Sequence, residues 1–131
     1  MPLNLRQPGG SKEFKSPYGG GVTTYTVTDQ DFGKIITTRS ATTAVVLKLP
    51  AAGANEGERV EVLLIANQSC RIDARNASEI VTYNDATASS VTVGHIAAKR
   101  IGARALCLCD GTSWIVQAVI DPTSTTVPTV A

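Results

Sequence analysis

The stretch LCLCDGTSWIV (Leu106–Val116) decides how the chain is read. It sets two cysteines one residue apart, directly before an Asp-Gly pair and the single tryptophan. In a strand, residues i and i+2 project from one face, so Cys107 and Cys109 point the same way. Zinc sites space paired cysteines by two to four residues on a knuckle, which C-x-C in a strand does not offer. Cys70 and His95 complete a Cys3His set on paper, but no spacing demands it, and burial as a free thiol is the commoner fate of cysteine. Neighbouring strand cysteines also bridge badly. Asp110-Gly111, by contrast, is a hairpin signal, because Gly accepts the positive φ of a tight turn. Trp114 then opens the return strand, placed to pack across the hairpin or cap one end of a core. The stretch reads as a hairpin with buried thiols, in which Asp110, Gly111 and Trp114 are structural. The other use of such a tryptophan, a sugar-stacking platform, has only three tyrosines and two phenylalanines to join it.

The same two-residue alternation runs outward from the hairpin. From Val22 onwards it predicts strands over Thr23–Thr28, Lys34–Thr38, Ala44–Leu49, Arg59–Ala66, Cys70–Ala74, Ile80–Tyr83, Ser90–Val93, Ala105–Cys109 and Trp114–Ile120. These runs are rich in Val, Ile and Thr and are divided by Gly, Asn, Asp and Ser. The expected fold class is all-β, a compact antiparallel sandwich or barrel. In Ala44–Leu49, Val45, Leu47 and Leu49 share a face and Pro50 stops the strand. In Arg59–Ala66, Val60, Val62 and Leu64 share one face, yet Leu63 and Ile65 on the other are apolar too. A strand apolar on both faces is covered on both sides, and a second chain is a natural cover. His95–Leu106 (HIAAKRIGARAL) has helix-forming residues, but Gly94 and Gly102 interrupt it and no cap is evident, which favours extended structure or a short turn.

The predicted domain organisation is an extended N-terminal arm over 1–21, a β-rich body over 22–120 and an extended C-terminal tail over 121–131. The arm carries Pro2, Pro8, Pro17 and the Gly19-Gly20-Gly21 run, with no periodic apolar face. Its basic residues alternate with large apolar ones, unlike a pure linker. It reads either as a loose terminus or as a segment that orders on a partner. The tail, DPTSTTVPTVA, is Thr- and Pro-rich.

At 131 residues the chain has the length of one domain, and 43% apolar content with 5% aromatic implies a core of Val, Ile, Leu and Ala. Twelve basic against eleven acidic side chains (net charge +1) argue against nucleic acid or a membrane surface as partner. The N-terminus lacks an apolar signal segment, and the longest apolar run, Val62–Ala66, is too short to span a bilayer. Three cysteines cannot form a complete set of internal disulfides, which fits a reducing compartment. Asp29, Asp31, Glu56, Glu58, Asp85 and Asp110 fall mostly in expected turns, where Asp serves the backbone. His95 has no neighbouring nucleophile elbow, and Gly19–Gly21 is followed by neither a Lys-Ser/Thr pair nor a helix start. The sequence therefore points away from an enzyme, and calls for no cofactor and no metal.

Four segments together resemble a module widespread in tailed bacteriophages: TVTDQDFGKIITT (Thr26–Thr38), AVVLKLPAAGANEGERVEVLLIAN (Ala44–Asn67), SVTV (Ser90–Val93) and LCLCDGTSWIV. The order is Asp-x-Gly and a short strand, an alternating strand ending Leu-Pro-Ala-Ala, a Gly-led strand, then a strand followed by Cys-Asp-Gly-Thr and Trp. The HIAAKRIGAR segment departs from the shorter connection of that pattern. The resemblance covers residues 26 to 116 and is to capsid decoration (cement) proteins and the β-rich pieces of head and tail fibres, usually trimeric. It implies a homotrimeric structural protein of the virion, made in the host cytoplasm and seated on the capsid surface. The partner would be the major capsid protein, with no nucleic acid and no membrane. Length favours decoration over a fibre or spike component with a receptor- or glycan-binding role. On that reading the N-terminal arm attaches the body to the capsid through Arg6, Lys12, Phe14, Lys15 and Tyr18.

Overall fold

Short β-branched runs punctuated by turn residues give a chain of short strands in the computed structural model, which describes residues 13–119 and 129–130. In chain order they are β1 (Phe14–Lys15), β2 (Thr24–Thr26), β3 (Ile35–Thr37), β4 (Val45–Lys48), β5 (Arg59–Leu63) and β6 (Cys70–Asp73). They continue as β7 (Ile80–Thr82), β8 (Asp85–Ala88), β9 (Ser90–Val93), β10 (Arg104–Cys109), β11 (Trp114–Val119) and β12 (Thr129–Val130). The remaining regular elements among the described residues are 3-10 turns of three residues each. Every run expected from alternation contains a strand. β1, β8 and β12 are additions.

The strands form two sheets, one of seven strands in the order β1-β3-β5-β10-β11-β7-β8 and one of five in the order β12-β9-β6-β4-β2. Both are mixed, so the expectation of an antiparallel fold is corrected. β1–β3, β3–β5 and β7–β11 pair in parallel in the larger sheet, as do β2–β4 and β4–β6 in the smaller. The cause lies in the path. From β1 to β6 the chain changes sheet at every strand, so neighbours within a sheet are two strands apart in sequence. Parallel pairing needs a crossover connection, usually a helix, and here a strand of the other sheet serves instead. Antiparallel pairing returns at the Asp110-Gly111 hairpin, where β10 meets β11 from Arg104↔Val119 to Cys109↔Trp114.

The sheets share one core. Val45, Leu47 and Ile72 from the smaller sheet cluster with Val60, Val62, Cys107, Trp114 and Val116 from the larger. Fully burying such a side chain stabilises by about 1.5–3 kcal/mol relative to leaving it exposed. The 94–105 segment holds a 3-10 turn at Ala97–Lys99 before β10, as the interrupting glycines suggested. Gly94 has φ 75°, and a Cβ there would lie 2.5 Å from Leu64 Cδ2. Only a residue without a Cβ fits that approach. The Gly94 carbonyl accepts a hydrogen bond from Arg100 Nε at 2.7 Å, which closes the loop.

Candidate functional site: the N-terminal anchor and the 110–114 hairpin

Of the residues expected to attach the arm, Arg6 and Lys12 lie outside the described residues. The other three are placed in three different environments. Phe14 stands on β1, one of the two edge strands of the larger sheet, and is 61% exposed. Lys15, its neighbour, turns inward. Its ammonium lies 3.2 Å from Asp31 Oδ1 and 4.9 Å from the centroid of the Tyr25 ring. Tyr18 is wholly buried, and its hydroxyl donates to the Val46 carbonyl at 2.8 Å. Burial pushes its phenol far above the ordinary value, so it stays neutral.

These placements correct the arm. Residues 14–18 belong to the body, which does not begin at Val22, and Tyr18 fills the core instead of lying on an exposed arm. The physical reason is that an aromatic ring with one satisfied hydroxyl is worth more inside than out. The glycines after it turn the chain, with Gly20 at φ 70° and Gly21 at φ 85°. Ser16 Oγ and Thr37 Oγ1, 2.6 Å apart, tie the same segment to β3.

The anchor turns on Asp31, a fully buried carboxylate that sequence reading left among the ordinary turn residues. Its Oδ2 accepts from the Tyr25 hydroxyl at 2.6 Å, the Thr28 N–H at 2.9 Å and Thr28 Oγ1 at 3.2 Å. Its Oδ1 receives no hydrogen bond of good geometry, and the Lys15 ammonium compensates its charge. Burial by itself would raise the Asp31 pKa, but the Thr28 N–H, Tyr25 hydroxyl and Lys15 outweigh it and hold the carboxyl below its usual range. In turn the Tyr25 hydroxyl and the Asp31 carboxylate raise Lys15. The signal available beforehand was Thr28-x-x-Asp31, a capping-box spacing.

The hairpin is built as its sequence implied. Asp110 Oδ1 accepts the N–H groups of Thr112 at 2.8 Å and Ser113 at 2.7 Å, which lowers its pKa, and Gly111 sits at φ 90°. Trp114 is fully buried, its ring centroid 6.3 Å from that of Phe32, and its Nε1 donates to the Pro50 carbonyl at 2.8 Å. Glu79 Oε1 accepts the Ala52 N–H at 2.8 Å, and the Cys109 thiol donates to the Ala52 carbonyl at 3.2 Å. The 50–57 loop thereby seals the end of the core over the indole. All three cysteines are free and buried, and burial pushes the Cys70 thiol up to about 12, with Cys107 and Cys109 also raised. Thiols held protonated in this way are poor nucleophiles.

No protein-family model matches the chain, and no curated protein matches it significantly. Among the described residues no helix is long and apolar enough to cross a membrane.

Proposed function

We propose that this chain is a non-catalytic structural protein of a tailed-bacteriophage virion that decorates and stabilises the capsid as a homotrimer. The observation that carries the reading is the larger sheet, whose outer face sets the half-buried Ile35, Leu63, Leu106, Leu108 and Ile115 among charged and polar side chains within one chain. Such a sheet calls for a second covering layer, as an assembling protein would have. The motif order over residues 26–116, with its likeness to cement proteins and fibre modules, supplies the virion context. The two sheets, closed over a shared core, are read as the halves of a sandwich-like body suited to a rigid surface unit.

Attachment is assigned to the segment ending at β1: Arg6 and Lys12 with the exposed Phe14. Lys15 and Tyr18 hold that segment to the body rather than to the capsid. Three such segments on one trimer would bind together with an avidity that none has alone. The competing fibre or spike role with glycan binding loses its proposed platform, because Trp114 is wholly buried.

Co-sedimentation of the purified chain with undecorated capsids of the phage that encodes it tests the reading. Saturable pelleting at a copy number divisible by three is expected. A chain that stays in the supernatant at all concentrations contradicts it.

A further inference from the structure

Several cations of the body are matched to carboxylates of the same chain. Lys15 reaches Asp31 and Arg59 reaches Glu61, while Arg71 binds Asp73 through two nitrogens at 2.7 and 3.0 Å. One end of the larger sheet is different. It is formed by the turn after β3, the turn after β5 and the 94–103 loop before β10. Backbone bonds tie these together: the Thr38 N–H donates to the Leu63 carbonyl at 3.2 Å, Leu64 to Ala103 at 2.8 Å and Gly102 to Leu64 at 2.8 Å. Arg39, Ile101 and Arg104 therefore stand at the same end of three neighbouring strands. With strands about 4.8 Å apart, β3 and β10 are separated there by about 10 Å.

Arg39 and Arg104 are exposed, and neither guanidinium has a hydrogen bond or ion pair among the described residues. Arg100 adds a third positive charge and fastens the loop through the Gly94 carbonyl. Lys99 already has an interaction within the chain, and the face does not depend on it. Residues 37–44, 63–69 and 93–104 contain no Asp or Glu, so these segments supply no counter-charge. Ile101 lies among the arginines and is 68% exposed. It is held there by a fixed turn, in which the Ala103 N–H donates to the Arg100 carbonyl at 3.0 Å and Gly102 sits at φ 92°. A side chain presented in this way loses little freedom on binding.

We propose that this end of the larger sheet, with Ile101 at its centre and Arg39, Arg100 and Arg104 around it, docks on an acidic surface of the major capsid protein. The inference rests on the capsid reading above and adds a second contact to that of the N-terminal segment. Phe14 lies level with Ile35, four residues before Arg39, so the two contacts are about 13 Å apart along the sheet and can meet one lattice. Uncompensated arginines call for carboxylates in the partner. An isoleucine between them calls for an apolar spot, which a protein surface offers and a phosphate backbone does not. The three segments also hold no Phe, Tyr or Trp on which bases could stack.

Co-sedimentation of the full chain with undecorated capsids across a salt series tests this, with circular dichroism and melting as the check on folding. Binding should weaken as salt rises. Arg39→Glu combined with Arg104→Glu, and separately Ile101→Asp, should each weaken pelleting by roughly 10-fold or more. Lys48→Glu, a charge change at an exposed position of the smaller sheet, should leave it unaltered. If the wild type pellets and the folded end variants pellet equally well, the face assignment is wrong and the capsid reading stands. A wild type that stays in the supernatant overturns both. Binding of the wild type to a DNA duplex, lost in the end variants, would give this end to nucleic acid. Loss of oligomer mass in the same variants would give it to a second copy, and either result overturns the capsid contact.

Discussion

Trp114 is where the chemistry of a single residue bears most on the fold. The indole is buried against Phe32 and its N–H is satisfied by Pro50, so truncation removes a large core volume and orphans a carbonyl. Trp114→Ala should destabilise by about 3–5 kcal/mol, read as a large fall in denaturation midpoint. A variant that melts like the wild type would contradict a structural role. Asp31 supports a second prediction, with a pH signature. Its folded pKa is depressed, so its contribution is fully present above the unfolded value of about 3.9 and is lost as pH falls through the lower folded value. Asp31→Asn should cost about 2 kcal/mol at neutral pH, the order expected for a disrupted buried hydrogen-bond set. The gap in melting temperature between variant and wild type should narrow below about pH 4. A gap independent of pH would place the cost elsewhere. Trp114 was legible because a hairpin signal precedes it. Tyr18 was not, because its neighbours Pro17 and Gly19 suggest a linker and its burial comes from β4, far away in sequence.

Among elements, alternation located strands well but carried no direction. A strand reads the same whether its neighbour runs with it or against it, so the parallel pairings of β1 to β6 were invisible. Only a turn signal fixes direction locally, and only Asp110-Gly111 supplied a strong one. β1 was missed because two residues show no period, and β8 because its sequence, DATA, is poor in β-formers. The status of β1 alters what a truncation means. Deleting residues 1–12 should leave a folded body that still assembles and no longer pellets with capsids. Deleting residues 1–18 should also unseat the Lys15–Asp31 pair and the Tyr18 plug, and lower stability markedly. Equal melting of the two truncations would show that β1 and Tyr18 add nothing to the body. Full capsid binding after removal of 1–12 would move attachment onto the sheets.

For the whole molecule, the sequence already hinted at assembly through Leu63 and Ile65 on the second face of one strand. Register extends that hint to a continuous surface, because Leu106, Leu108 and Ile115 join the same side only once β10 and β11 are aligned with β5. The outer face of the smaller sheet is mainly polar, whereas that of the larger one sets leucines and isoleucines among its charged residues, so the body is two-sided. On the proposed function, this two-sided body decorates a capsid lattice. Electron cryomicroscopy of the virion tests that claim most directly. The account predicts three-fold-symmetric density on the outer capsid surface, into which three copies of this body fit. Density for the chain in a tail fibre or spike, or its absence from the head, would contradict it.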